Sequence, residues 1–141
     1  TRRSSDLDMT AFLNPCEASY ARLGSFKAPR YITWSSENRS QLIRIPAAEG
    51  EFRRAELRSA DPMANPYIAF ALLIHAGLHG IENRLNLPEP ADINLYTAPQ
   101  SVVDSYRRLP ASLTEAAAAA AKSEFIAEHL PEAVARAYFR H

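Results

Sequence analysis

The sequence is poor in several residue types, and each scarcity narrows what it can do. Cys16 is the sole cysteine, so no internal disulfide can form, which fits a reducing compartment and makes the cytoplasm the expected location. There are four glycines among 141 residues and no low-complexity tract of the kind that keeps a chain disordered. No apolar stretch approaches the roughly 20 residues of a membrane-spanning helix; the smoothest run, residues 116–121, is six alanines between Glu115 and Lys122. No secretory leader is visible and the first residue is Thr1, so the chain is expected to be a processed or truncated piece. Lysine is nearly missing too: two lysines stand against fourteen arginines.

What is present reads as a single globular domain, with 47% hydrophobic and 23% charged residues. Formal net charge is zero, but the charge is unevenly spread. Residues 22–58 carry eight basic and four acidic side chains, whereas residues 59–141 carry six and nine. A basic segment in a neutral chain points to a local anionic ligand, not to a nucleic-acid stripe. Arginine suits that task, because its rigid fork matches phosphate and carboxylate geometry. Arg-favouring codon usage is the plainer explanation, and composition leaves both open.

Pattern and punctuation predict an α+β fold with the sheet early and the helices late. Ser5 and Asp6 can cap a helix carrying Met9, Phe12 and Leu13; Asn14-Pro15 interrupts it, and a second short helix should stop at Gly24. Residues 1–29 are thus expected to form helices and a loop. Three β-like runs, 30–35, 41–45 and 52–59, separated by plausible turns, predict an antiparallel meander. Asn65-Pro66 should start a core helix over 65–84. After a proline-bearing loop, residues 100–141 read as a helical tail, with Ser112 and Glu115 forming a capping box.

In the third run Arg54, Glu56 and Arg58 alternate onto one face, at steps of roughly 7 Å. A carboxylate between two guanidinium groups can serve a metal and a charged substrate; it can equally be a cross-strand ion-pair ladder on a wet sheet face. Arg39, Arg44 and Arg22 are nearby in sequence, and seven arginines in residues 22–58 could converge on a polyphosphate. Other candidates carry less. His75 and His79 stand four apart but lack the Glu of H-E-x-x-H and a third ligand, so they read as packing or surface histidines. Trp34 could stack on a base or simply pack. Cys16 has no activating partner nearby in sequence.

Ordered motifs add a resemblance. Asn14-Pro15, Ser19-Tyr20, Arg22-Leu23, Ala28-Pro29, Trp34-Ser35, Asn38-Arg39-Ser40, Ile43-Arg44-Ile45-Pro46, Glu56-Leu57-Arg58-Ser59, Asp61-Pro62 and Ala64-Asn65-Pro66-Tyr67 follow one another, and Gly77-Leu78, Gly80-Ile81 and Asn94-Leu95-Tyr96 continue the series. In this order they resemble the C-terminal part of the glutamine synthetase catalytic domain. The resemblance implies an ATP-dependent carboxylate–amine ligase using Mg²⁺ or Mn²⁺, with glutamate and ammonia or another amine as substrates, working as a homo-oligomer in the full-length protein. It implies Glu56 as a metal ligand and Arg22 and Arg58 as glutamate-binding residues. Arg39 would be a catalytic residue touching both phosphate and substrate, and Arg44 and Arg54 would contact nucleotide.

The departures from the family pattern are as informative. Lys27 stands where the family usually carries a Glu in a flap loop that handles the incoming ammonium, and the loop is one residue shorter. Ala21 and about Glu51 replace family lysines. The family's other metal ligands are not matched here and are expected upstream, so the chain alone is expected to be inactive. Two alternatives accompany the ligase reading: a γ-glutamyl ligase for an organic amine, favoured by Lys27, and a non-catalytic member that binds nucleotide or a partner. No nucleic acid or membrane is expected as partner.

Overall fold

The computed structural model describes residues 5–25 and 27–139, with the side chain of Phe139 left aside. The chain divides into two compact units, and each is taken by itself. One gathers the chain up to Tyr20 with Ala60–Leu87 and everything from Pro110 onward; the other is Ala21–Ser59 with Pro88–Leu109.

The first unit is helical: α1 (Ser5–Leu13), most of α2 (Glu17–Arg22), α3 (Pro66–Glu82), α5 (Leu113–Ala120), α6 (Glu124–His129) and α7 (Glu132–Phe139). Every residue of α1 from Asp8 to Leu13 is buried, so this helix is enclosed on all sides instead of showing one apolar stripe. Its principal neighbour is α5, whose Ala116 and Ala120 are buried four apart. The alanine run therefore does more than favour helix: a face of methyl groups lets two backbones approach closely. The expected capping box starts α5, with Glu115 N donating to Ser112 Oγ at 3.1 Å, but the Glu115 carboxylate reaches back to Ala111 N instead of Ser112 N.

Helix α3 begins as predicted, with Asn65 Oδ1 accepting from Tyr67 N and Ile68 N and Pro66 in the first turn. It ends in a Schellman pair, Leu85 N to Gly80 O and Arg84 N to Ile81 O, which puts Arg84 at φ 49° where glycine is usual. The expected core helix needs correction. Of α3, Ala69 and Leu72 are buried, while Tyr67 is 84% exposed and Ile81 75% exposed. The helix carries apolar residues around most of its circumference, and this unit covers one side of it.

The second unit holds a small sheet, β1 (Trp34–Ser35), β2 (Ile43–Arg44) and β3 (Glu56–Leu57), in that order. The predicted antiparallel meander is half right. β2 and β3 are antiparallel, but β1 and β2 are parallel, and each strand is two residues long. Buried polar side chains explain the difference. Gln41 Nε2 donates to Ile93 O at 2.8 Å, and Leu95 N donates to Ser40 Oγ at 2.8 Å. These bonds tie the β1–β2 connection to the 91–95 segment, so it returns before β2 starts instead of turning tightly. Trp34 Nε1 donates to Pro88 O at 2.7 Å, which makes the indole a fastening for the same loop. The helix α4 (Gln100–Val103) completes the unit.

Candidate functional site: an arginine-rich sheet around Glu56

Antiparallel pairing sets Arg44 of β2 directly across from Glu56 of β3. Arg44 Nη1 lies 3.0 Å from Glu56 Oε2, and Arg54 Nε lies 3.2 Å from Glu56 Oε1. One carboxylate is thus held by two guanidinium groups, one on each oxygen. Partial burial pushes the Glu56 carboxyl pKa up, but the hydrogen bond and charge of Arg44, joined by those of Arg54, outweigh it and leave the group below its ordinary value. Glu56 stays ionised, and each of its oxygens retains a second lone pair for another partner.

Arg58 makes a different contact. Its Nη2 donates to the carbonyl of Lys27 at 3.1 Å, so it braces the loop that holds Lys27 and does not join Glu56. Lys27 itself is exposed and sits at φ 71°, in the left-handed region that costs a side-chain-bearing residue about 1–2 kcal/mol. Gly24 N to Ala28 O and Ala28 N to Ser25 O close the loop around it. Arg22, at the end of α2, donates to Ser59 O, the carbonyl next to Arg58. Arg39 is exposed in the β1–β2 connection. The structure therefore joins Arg44, Arg54 and Glu56, joins Arg58 with Lys27 and Arg22 with Ser59, and leaves Arg39 outside these contacts.

Two donors in this unit are left over. Arg44 Nε and Arg58 Nη1 are buried and have no hydrogen-bond partner. A buried unpaired donor costs about 1–3 kcal/mol, so each asks for an acceptor. Tyr96 feels the charge of Arg58, although no sequence spacing links the two. Burial raises its phenol pKa while the Arg58 guanidinium pulls the other way, the net shift being upward.

A divalent cation is implied by the resemblance, and the chain fits it only in part. Glu56 offers one oxygen ligand of the six or so a hard cation takes. Among the described residues no group of three His, Cys, Asp or Glu could hold a metal. His75 stacks on His129 with ring centroids 4.2 Å apart, and His79 meets Phe125 edge-on at 6.5 Å, which is packing. Cys16 Sγ is 3.2 Å from Ser19 Oγ, a contact that activates neither atom.

Residues 5–141 match the family model described as "Glutamine synthetase, catalytic domain". The chain is 45% identical over 130 residues to a glutamine synthetase of Methanosarcina mazei, covering 90% of this chain and 29% of that protein. It is 44% identical over 124 residues to a glutamine synthetase of Staphylococcus aureus, covering 86% of this chain and 28% of that protein. Two solved structures are similar in fold. "GmaS/ADP complex-Conformation 1" matches with TM-score 0.79 and 34% identity over 94% of this chain and 31% of that one, and "Apo GmaS without ligand" with TM-score 0.77 and 36% identity over 93% and 29%. The chain thus spans about three-tenths of the length of these relatives.

Proposed function

The chain belongs to the glutamine synthetase catalytic-domain family, and from that premise we propose that it is the C-terminal part of the catalytic domain of an ATP-dependent carboxylate–amine ligase. The longer protein would phosphorylate the side-chain carboxylate of glutamate and let an amine displace the phosphate, in the cytoplasm and as a homo-oligomer. The observation that supports this most is the pair of unsatisfied buried donors, Arg44 Nε and Arg58 Nη1, on residues of the family motif. An anion supplied by substrate would complete both.

Arg44 and Arg54 are proposed to face the nucleotide phosphates, Arg22 and Arg58 the glutamate carboxylates, and Arg39 the junction between phosphate and substrate. Negative charge accumulates on the oxygens of the phosphoryl group in flight, and fixed guanidinium groups that need no reorganisation stabilise it. The ADP in the name of the GmaS complex belongs to that protein and lends support to the nucleotide assignment here. Glu56 is proposed as a single metal ligand whose fellow ligands come from elsewhere in the longer protein. The 141 residues alone are accordingly proposed to be catalytically silent.

A second reading is favoured by Lys27. An acid at this flap position would attract an ammonium ion and accept its proton, whereas a cation repels it, more strongly where water is excluded. The acceptor would then be a bulkier or neutral amine.

Steady-state phosphate release by the longer protein, with glutamate and either ammonia or a panel of amines, tests both readings. Glu56→Ala should lower kcat about 10²-fold or more, while His79→Ala stays near wild type. Equal damage in two folded variants would refute the site. Ordinary turnover of ammonia by wild type, unimproved in Lys27→Glu, would discard the organic-amine reading.

A further inference from the structure

The sheet-bearing unit contains a second feature, a half-open cavity of about 220 Å³ lined by Gly24, Arg30, Tyr31, Tyr96, Gln100 and Val103 among others. It is smaller than the roughly 300–1,000 Å³ of ordinary ligand pockets, and holds the volume of about seven waters. One charged residue lines it, Arg30, and no acid does. Gln100 has its amide nitrogen committed to Asp104 at 2.7 Å, and Asp104 is in turn paired with Arg108 at 2.5 Å. By contrast, neither the Arg30 guanidinium nor the Tyr31 and Tyr96 hydroxyls make a hydrogen bond among the described residues. Arg58, which does not line the cavity, is a second positive charge close enough to act on the Tyr96 phenol.

The position of Arg30 is built into the backbone. Gly24 adopts φ 90°, and a Cβ there would meet Arg30 Cδ at 3.1 Å and Nη1 at 3.7 Å. The arginine stem therefore lies against a residue that has no side chain, in a conformation only glycine takes easily. An arginine laid along a glycine, without a carboxylate partner and lining one cavity with two tyrosines whose hydroxyls are unpaired, offers a fork of donors to whatever fills that cavity.

We propose that this cavity is a binding site for a small carboxylate or phosphate anion, up to about the size of a four-carbon dicarboxylate, anchored by the guanidinium of Arg30 with the hydroxyls of Tyr31 and Tyr96. The site is separate from the ligase reading, because neither Arg30 nor either tyrosine belongs to the set assigned to nucleotide, glutamate or metal. It can be occupied whether or not the longer protein is a ligase.

The test is an amide-NMR titration of the 141-residue chain at low ionic strength, with succinate and inorganic phosphate as probes and choline as a cationic control. Saturable shifts should appear at Gly24, Tyr31 and Tyr96 with one or both anions and not with choline; which anion binds distinguishes a carboxylate from a phosphate site. Arg30→Gln should weaken binding at least about tenfold, as expected for a lost charge-assisted pair, and Arg136→Gln, a charge that does not line the cavity, should change it less than twofold. Tyr96→Phe, which keeps the ring and its packing, should weaken it severalfold and carries the test if Arg30→Gln fails to fold. Absence of saturable shifts with either anion, or equal binding by wild type and the folded variants, would overturn the assignment.

Discussion

Removing one buried hydroxyl should destabilise the helical unit out of proportion to its size. Ser123 Oγ donates to Asp8 Oδ2 at 2.7 Å and accepts from Ile126 N at 3.2 Å, so it ties α1 to the first turn of α6 and caps that helix. Both residues are nearly inaccessible, Ser123 at 5% and Asp8 at 4%, and Asp8 Oδ1 already lacks a partner. Ser123→Ala forfeits the cap, about 1 kcal/mol. It also leaves the second Asp8 oxygen without its donor, about 1–3 kcal/mol. The expected total is about 2–4 kcal/mol, which at roughly 0.3 kcal/mol per kelvin for a chain of this length lowers Tm by about 7–13 °C. Ser123→Gly separates the two contributions, since glycine at a cap costs only a few tenths of a kcal/mol relative to serine. Thermal unfolding followed by circular dichroism gives the size, and amide exchange in α1 and α6 gives the place. Trp34 fluorescence reports the sheet-bearing unit separately. A Ser123→Ala loss under about 0.5 kcal/mol, within the range of ordinary surface changes, would refute the buried Ser123–Asp8 contact.

Two further outcomes follow from backbone and charge. Arg84→Gly should stabilise the chain by about 0.5–1 kcal/mol in urea denaturation, because the left-handed cost is relieved and partly offset by glycine's freer unfolded state; a loss of stability would mean that α3 does not end as described. Glu56 has a lowered pKa in the folded chain, so its contribution is present above the unfolded carboxylate value and is lost as pH falls through the folded one. Wild type should therefore lose more stability than Glu56→Gln in urea midpoints between pH 6 and pH 3, and parallel curves would contradict the double arginine contact.

The parts of the fold that could be read in advance are those with local causes. Asn65-Pro66 encodes a cap and a first helical turn in adjacent residues, and Ser112 with Glu115 encodes another, so both helix starts fall where expected. The sheet did not yield in the same way. Runs such as 41–45 have strand-like composition, but the direction of β1 against β2 is set by Gln41 and Ser40 bonding to a segment some fifty residues later. No short-range pattern carries that information. The site shows the same division. Alternation along one strand correctly put Arg54 beside Glu56, but it carries no information on the Arg58 guanidinium, which reaches the Lys27 carbonyl instead of Glu56. Arg30 had no motif to mark it; what distinguishes it is Gly24 against its stem, a contact visible only in three dimensions.

The sequence left two readings of the Arg54–Glu56–Arg58 pattern open, an ion-pair ladder or a ligand surface, and the geometry bears on the choice. The ladder exists: Arg44 opposes Glu56 in register, and Arg54 joins it. A ladder alone, though, would be expected to satisfy the donors it buries, since exposed pairs contribute only about 0.2–1 kcal/mol and one orphaned donor can cancel that. Here Arg44 is a member of the ladder and still carries a buried Nε with no acceptor, and Arg58 carries a second at Nη1. Charge points the same way, because residues 22–58 hold eight basic side chains and four acidic ones, so the excess cannot be discharged within the segment. On the proposed ligase reading the ion pair has a use. It fixes Arg44 and Arg54 through Glu56, and a guanidinium whose position is already fixed loses less entropy when an anion arrives. On the proposed ligase reading, the ladder would preorganise the ligand surface, and the two readings would describe one arrangement.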